Sequence, residues 1–327
     1  MKLTSNLFTL ILFGVALNAQ TLEKSSIDSG GSSTNASGIA IVYTIGEVAV
    51  QESSTGGVSR SEGFIGEAPK LNLSAKVYLQ GPLLNPDTPT LMNDNLRSLG
   101  LIPTTSPYSD NATCEATVFN TTGNGAIVDW VWLTLRSKDN TSSLINGRSA
   151  LLRRDGSIVD VDGVTPISLR AYQNTYYLAI EHRNHLGVMN ESPMQFSSTS
   201  ITNFDTTNPS FSTFGTNAVT TLPNLMGSNA LWAGDVNSNG QIRYLGPGND
   251  TNTIKDAVLA NSSNATSSNF FPFSAYSNAD INMNGQVRYL GPGNDTNILK
   301  DIILGHPSNG TTSNFFPFIS QIPNINQ

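Results

Sequence analysis

The sequence predicts a mainly β protein in which a β-sandwich domain is followed by a small calcium-binding module of two loop–helix repeats. Short β-branched and aromatic runs alternate with turn signals over residues 73–225, and a nearly identical segment occurs twice in residues 226–327. Cys114 is the only cysteine, so no intrachain disulfide can form and stability must come from the core or from bound metal.

The first 19 residues have the pattern of a secretory signal peptide. Lys2 precedes an apolar run over residues 7–17, and the small residue Ala19 follows as a candidate cleavage site. The run is shorter than the roughly 20 apolar residues of a membrane-spanning helix, and no later stretch approaches that length. The pattern predicts a secreted or cell-surface protein that is cleaved near Ala19 and has no transmembrane segment.

Composition narrows the classes of partner. Charged residues make up only 13% of the chain and the net charge is −7, so we expect no basic surface for nucleic acid or anionic lipid. Asn, Ser, Thr and Gly supply the polarity instead, and these residues stabilise turns. This composition is typical of an extracellular β-rich protein.

Two regions carry the strand signals. Residues 20–72 contain runs at 39–50 and 58–65 around a Ser-Ser-Thr-Gly-Gly turn at 53–57, which predicts a β-hairpin segment. Residues 73–225 contain strong runs at 127–135, 149–153, 158–161 and 176–181. Short strands separated by frequent turns predict the β-sandwich.

The repeat in residues 226–327 has the residue pattern of calcium loops. Each copy places Asp, Asn and Asn at alternate positions before a glycine, and Asp280 follows Asp235 by 45 residues. Ca²⁺ takes six to eight oxygen ligands, and an EF-hand-like loop supplies them from positions 1, 3, 5 and 7 with glycine at position 6. The first four predicted ligands of each loop are Asp235, Asn237, Asn239 and Gln241, and Asp280, Asn282, Asn284 and Gln286.

The ligand that closes each loop must be displaced. A 12-residue loop would end at Gly246 or Gly291, which have no side-chain oxygen. The insertion Leu-Gly-Pro-Gly moves the predicted closing carboxylate to Asp250 and Asp295, each just before a predicted helix, with Asn249 and Asn294 as the alternatives. Two carboxylates for each ion predict weak binding, at roughly 10⁻⁴ to 10⁻³ M.

A metal-free Asx-turn is the alternative interpretation of one such loop. The identical continuation of the second copy favours metal, because shared ligand positions are poorly explained by turns alone. The Phe-Phe-Pro-Phe segments at 270–273 and 315–318 are expected to close each repeat by core packing.

Candidate catalytic groups form no convincing site, and we expect the protein not to be an enzyme. The one histidine cluster, residues 181–185, follows an alternating strand pattern and lacks the H-E-x-x-H spacing of a zinc site. We expect a polar network there, and solvated surface positions for the acids of the β domain, Asp129, Asp155, Asp160, Asp162 and Glu181. A polysaccharide-binding lectin or a glycan-active hydrolase, with Trp130 and Trp132 as sugar platforms, remains the alternative.

The paired loops with their Tyr-Leu-Gly-Pro-Gly-Asn-Asp continuation resemble dockerin modules, in a variant found in Bacteroidetes surface proteins. The segments at 77–81, 128–131, 159–163 and 182–189 resemble the β domain that accompanies such repeats in exported, haemagglutinin-like proteins. The resemblance implies this architecture with Ca²⁺ as cofactor. We therefore expect a non-catalytic adhesion or surface-assembly protein whose partner is a cohesin-like or other surface protein, or a glycan.

Overall fold

A computed structural model describes residues 31–36, 39–44, 51–55, 58–62, 68–222 and 225–325. The predicted signal peptide lies outside these residues. The chain divides into two compact units, one of residues 1–54 and 59–66 and the other of residues 55–58 and 67–327.

Four short strands precede residue 67: β1 Gly31–Ala36, β2 Ile39–Thr44, β3 Gln51–Thr55 and β4 Val58–Glu62. Strand β2 pairs antiparallel with β1, and β3 pairs with β4. The described parts of the two predicted runs, β2 in 39–50 and β4 in 58–65, therefore do not pair with each other, since each pairs with a nearer strand.

The larger unit is built on a sheet of nine strands in the order β11-β10-β6-β7-β8-β5-β13, with β12 against β10 and β9 against β5. Strand β13 runs parallel to β5. The strands are β5 Lys70–Lys76, β6 Ile127–Ser137, β7 Leu144–Arg153, β8 Ser157–Val159, β9 Ser168–Arg170, β10 Asn174–His182, β11 His185–Met189, β12 Met194–Phe196 and β13 Thr202–Asp205.

The mainly β class is confirmed. Three of the four strand runs predicted in residues 73–225 lie within strands, and the fourth, 158–161, extends past the end of β8 at Val159. Strand β6 is buried along almost its whole length, as its β-branched and aromatic residues favour. Hydrogen bonds join these strands into one sheet, so a packing of two separate sheets stays a prediction.

The remaining strands and the α-helices are short. They are β14 Val219–Leu222, β15 Ser228–Leu231, β16 Gln241–Arg243, β17 Phe273–Ser274, β18 Gln286–Val287, β19 Pro317–Ile319, α1 Asn95–Ser98, α2 Asp250–Ala260 and α3 Asp295–Gly305. Helices α2 and α3 lie where helical spacing predicted them, and α3 ends at the predicted Gly305. Every helix of the described residues is too short or too polar to cross a membrane.

Each repeat pairs its loop strand with a strand of the other repeat. Strand β16 of the first loop pairs with β19, which follows the second helix, and β18 of the second loop pairs with β17, which follows the first helix. The pairs Ile242–Phe318 and Val287–Phe273 occupy equivalent positions. Each loop is thus held by the Phe-Phe-Pro-Phe segment of the other repeat.

The Phe-Phe-Pro-Phe segments pack only in part as expected. Phe318 is buried, and Phe271, Phe273 and Phe316 pack partly buried against the core of the repeats. The first phenylalanine of each segment, Phe270 or Phe315, is about two-thirds exposed, at 66% and 67%.

Two hydrophobic cores meet across the predicted domain boundary at residue 226. The core of the large sheet includes Met283 from the second loop. The core around α2 and α3 includes Leu186 from β11. Each part of the unit therefore contributes a buried side chain to the other, which fixes the second loop against the sheet.

Candidate metal centre

The first acid of each loop faces back into its own turn. Asp235 accepts hydrogen bonds from the backbone N–H groups of Asn239 and Gly240, both at 3.0 Å. Asp280 accepts the equivalent bonds from Asn284 at 3.0 Å and Gly285 at 2.7 Å. These contacts give both loops the same tight shape.

The glycine at position 6 of each loop is required by the backbone. Gly240 has φ +75° and Gly285 has φ +84°, the left-handed region that favours glycine. This is the sharp turn for which the sequence pattern provided a glycine.

The displaced acids, Asp250 and Asp295, contact the backbone of their own loops. Asp250, the first residue of α2, accepts hydrogen bonds from Val236 N at 2.8 Å through one oxygen and from Arg243 N at 2.8 Å through the other. The carboxylate therefore joins the beginning of the first loop to its end, 14 and 7 residues away.

The second repeat has the same arrangement. Asp295 accepts from Ile281 N at 2.9 Å and from Arg288 N at 2.8 Å. The structure thus brings together the two acids that the sequence predicted for each loop.

The neighbouring asparagines serve the helices. Asn249 caps α2 by accepting from Asn252 N at 2.8 Å, and Asn294 caps α3 by accepting from Asn297 N at 2.7 Å. Since their side-chain oxygens are used in capping, Asp250 and Asp295 are the better placed of the two predicted alternatives.

The amide side chains of the first loop are held with their oxygens toward the loop backbone. Asn237 Oδ1 accepts from Asn239 N at 3.1 Å, and Asn239 Oδ1 accepts from Gln241 N at 2.8 Å. The amide nitrogen of Asn237 donates to the carbonyl of Gly248 at 3.1 Å. The insertion after the loop therefore helps to orient the candidate ligands.

The second loop repeats the two contacts of the amide oxygens. Asn282 Oδ1 accepts from Asn284 N at 3.1 Å, and Asn284 Oδ1 accepts from Gln286 N at 2.8 Å. Each of these oxygens keeps a second lone pair. Gln241 and Gln286 begin β16 and β18, and the predicted ligand from each is the backbone carbonyl.

Burial and repulsion disfavour the charged carboxylates. Burial raises the pKa of Asp235 to about 6, while burial and the nearby charge of Asp235 raise that of Asp250 to about 7. Burial also raises the pKa of Asp280 to about 7, and burial with the charge of Asp280 raises the pKa of Asp295 well above its usual range. Within residues 68–222 and 225–325, none of the four forms a salt bridge.

The donor set fits a hard cation rather than zinc. Each loop offers only oxygen atoms, and a bidentate Asp250 or Asp295 brings the count to six, the lower limit for Ca²⁺. No group of three or more His, Cys, Asp or Glu residues that could hold a metal occurs in the described part of the chain. The third and later ligands would therefore have to be amide and carbonyl oxygens.

The histidine cluster forms a buried polar network, as its sequence led us to expect. His185 Nε2 accepts from Gly81 N at 3.1 Å, so the proton of a neutral His185 lies on Nδ1. His185 Nδ1 is 3.0 Å from His182 Nδ1, and His182 Nε2 is 3.2 Å from Asp129. Burial is the main cause that lowers the pKa of both histidines, which agrees with neutral rings.

Asp129 is the centre of this network, and its expected place on the surface is wrong. The side chain is fully buried and accepts from Arg183 at 2.9 Å and from Tyr276 at 2.6 Å. Burial opposes its charge, but Arg183, His182 and Tyr276 outweigh burial and lower the pKa to about 2. An acid within the apolar run of β6 was the sequence signal for such buried partners.

The network fastens the second loop to the sheet. Asn184 donates to the backbone carbonyls of Asn278 at 3.1 Å and Asp280 at 2.8 Å. Arg183 donates to the carbonyl of Ser277 at 2.5 Å, and its guanidinium lies 4.3 Å from the ring centre of Tyr276. Arg183 also places a positive charge near Asp280.

Comparison of the chain with protein-family models, with curated proteins and with solved structures gives no match. The geometry of the loops and of the network therefore carries the functional argument.

Proposed function

We propose that this is an exported calcium-binding protein in which two equivalent loops each bind Ca²⁺ and thereby stabilise the repeat module against the β-sheet. The proposed ligands are those predicted from the sequence, closed by Asp250 and Asp295. The supporting observation is that each repeat brings two acids from distant positions into one buried loop, where neither acid forms a salt bridge among the described residues. Arg183 lies near one of them, Asp280. A divalent cation would remove the repulsion that this arrangement creates.

A second buried acid in each loop supports metal over a simple turn. The amide oxygens of each loop accept hydrogen bonds from the backbone two residues on, and such Asx-turn bonds also form without metal. A turn requires Asp235 or Asp280 alone, whereas Asp250 and Asp295 add a second buried charge at a cost in free energy. A bound cation would offset that cost.

The two sites should differ in affinity. The positive charge of Arg183 lies near Asp280 in the second loop, and Asp280 is fully buried. For Asp235 of the first loop, only burial and backbone hydrogen bonds shift the pKa, and no positive charge contributes. The first loop is therefore the tighter of the two sites in this proposal.

The biological role proposed with this chemistry is adhesion or assembly at the cell surface, without catalysis. The leader-like N-terminus and the resemblance to dockerin-bearing exported proteins support it. Calcium-dependent capture of a surface protein, cohesin-like or other, would distinguish assembly from self-stabilisation.

Thermal unfolding in calcium and in excess chelator tests the metal proposal. We expect chelation to lower the Tm, and the double variant Asp235→Ala/Asp280→Ala to lose that sensitivity. The matched control is Asp256→Ala/Asp301→Ala, because these acids are exposed at equivalent positions of α2 and α3. An unchanged Tm of the native protein on chelation would refute the proposal, and calorimetric titration should give two ions for each chain.

A further inference from the structure

A cleft of about 750 Å³ lies beside the network, between the sheet, the first loop and the C-terminal segment. Its volume falls within the range of about 300–1,000 Å³ that is usual for small-ligand sites. Neither the metal ligation nor the histidine network accounts for an open cleft at this place.

An aromatic surface lines the cleft. Tyr108 and Trp132 are both partly exposed, and their ring centres are 5.8 Å apart with planes tilted by 30°. Trp132 is held in position because its indole packs on Gly147, where a Cβ would lie 2.7 Å from the ring. Fixed aromatic faces of this kind bind the apolar faces of ligands at little conformational cost.

Trp130, the other sugar platform expected from the sequence, is excluded. Its side chain is fully buried and its indole N–H donates to Pro103 O at 2.9 Å. Trp130 and Trp132 lie on the same face of β6, and they differ in burial, since Trp132 is partly exposed.

A fixed ion pair supplies polar groups in the same cleft. Arg136 is buried and donates to Glu181 at 2.9 Å and to Pro323 O, while the Glu181 side chain is 37% exposed. Because Arg136 is already paired, it offers little attraction to an anion. Glu181 presents an accessible carboxylate that accepts hydrogen bonds from hydroxyl groups.

The rest of the lining is mixed and includes residues of the histidine network, the acid Asp235 and several apolar side chains. Its exposed polar groups are amides and hydroxyls. Asn239 and Ser238 of the first loop and Asn324 of the C-terminal segment are exposed in the cleft, and Ser320 is partly exposed. Amide side chains donate and accept hydrogen bonds in one plane, which suits adjacent hydroxyl groups.

An extended peptide is disfavoured, because the outer edge of β11 is already paired. Leu186 N donates to Trp232 O at 2.9 Å, and Phe214 N donates to Met189 O at 2.8 Å. Ile322 lies over Gly187, where a Cβ would be only 2.7 Å from its side chain. No free strand edge at β11 is left for a peptide to extend.

We propose that this cleft binds a neutral oligosaccharide, with a sugar ring stacked on Trp132 and Tyr108 and its hydroxyl groups bound by Glu181 and Asn324. The first loop forms part of the lining, but the site does not require a metal ligand to contact the sugar. The proposal is therefore separate from calcium binding, and it makes no claim of hydrolysis.

The test uses an array of neutral hexose oligosaccharides, followed by titration of the best-bound oligosaccharide on the array with the native protein. Both steps are done once with excess calcium and once with chelator, so that loss of the metal is distinguished from absence of the sugar site. Binding in either condition supports the proposal. Absence of binding in both conditions refutes it.

Variants then locate the site. We expect Trp132→Ala to weaken binding by about tenfold, which corresponds to about 1.4 kcal/mol, because the variant removes the aromatic face on which the sugar ring stacks. Asn324→Ala, which removes an exposed side chain, should weaken binding severalfold without affecting folding. The control Tyr172→Ala removes an aromatic ring that is 69% exposed outside the cleft and should leave binding unchanged.

Binding that is equal in the native protein, Trp132→Ala and Asn324→Ala would overturn the assignment of the cleft, as would an equal loss in Tyr172→Ala. Should Trp132→Ala fail to fold, Asn324→Ala alone decides the test.

Discussion

Asp250 carries a destabilising buried charge when calcium is absent and is a proposed ligand when calcium is bound. The variant Asp250→Asn tests both roles, because it keeps the shape of the side chain and removes the charge. Without calcium at about pH 8, the native carboxylate is charged within a buried loop, where burial and Asp235 raise its pKa to about 7. The usual unfolded value is about 3.9, and a rise of about 3 pH units corresponds to about 4 kcal/mol of lost stability. The variant avoids that loss.

The variant also loses a hydrogen bond, since the amide nitrogen cannot accept from Val236 N or Arg243 N. An unsatisfied buried donor costs about 1–3 kcal/mol. We therefore expect Asp250→Asn without calcium to be more stable than the native protein by about 1–3 kcal/mol.

Calcium should reduce this difference in stability between the variant and the native protein. A site saturated at about 100 times its Kd adds about 2.7 kcal/mol to the free energy of unfolding. The native protein gains this at both loops and Asp250→Asn only at the second. The stabilisation by calcium should thus be smaller in the variant by about 2.7 kcal/mol.

Urea unfolding with chelator and with calcium measures both differences. Asp256→Asn is the matched control, because it removes one charge from the exposed face of the same helix. The reasoning is wrong if Asp250→Asn and Asp256→Asn gain the same stability from calcium as the native protein.

Two other perturbations test the attachment of the second loop and the chemistry of the ligands. Gly81→Ala places a Cβ 2.2 Å from Ile281 O, so urea unfolding should show a loss of stability of about 1–3 kcal/mol. The control Gly310→Ala, whose added Cβ has nothing within 4 Å, should leave the stability unchanged. Equal effects of the two variants would contradict the close packing at Gly81. Since the pKa values of Asp235 and Asp250 are raised to about 6 and about 7, their contribution to calcium-free stability is present below about pH 4 and lost as pH rises through 7. Calcium competes with those protons, so its Kd by calorimetry should be at least about tenfold weaker at about pH 5.5 than at about pH 7.5, and a constant Kd would argue against carboxylate ligands.

The loops were predictable because their information is local. Alternating Asp and Asn before Gly240 and Gly285 specify a turn whose geometry depends on neighbouring residues alone. The sequence also singled out Asp250 and Asp295, since Gly246 and Gly291 lack side-chain oxygens and a helix start follows within a few residues. Their role as closing ligands stays a prediction.

The partners of the buried Asp129 and the exposure of Trp132 were not predictable. Both residues lie on β6, three positions apart, so the sequence shows only that their side chains point to opposite faces of the sheet. Which face is covered depends on strands and loops far along the chain, such as the segment that carries Tyr276, which donates to Asp129.

By itself the sequence determined the mainly β class, the two repeats, the positions of α2 and α3 and the acids of each loop, because hydrophobic periodicity, turn residues and helix caps act over a few residues. Only the tertiary structure decided that each loop pairs with the other repeat, that Met283 enters the core of the sheet, and that a cleft opens beside Trp132 and Glu181. These features arise from contacts between residues distant in sequence, and such contacts depend on how whole elements pack.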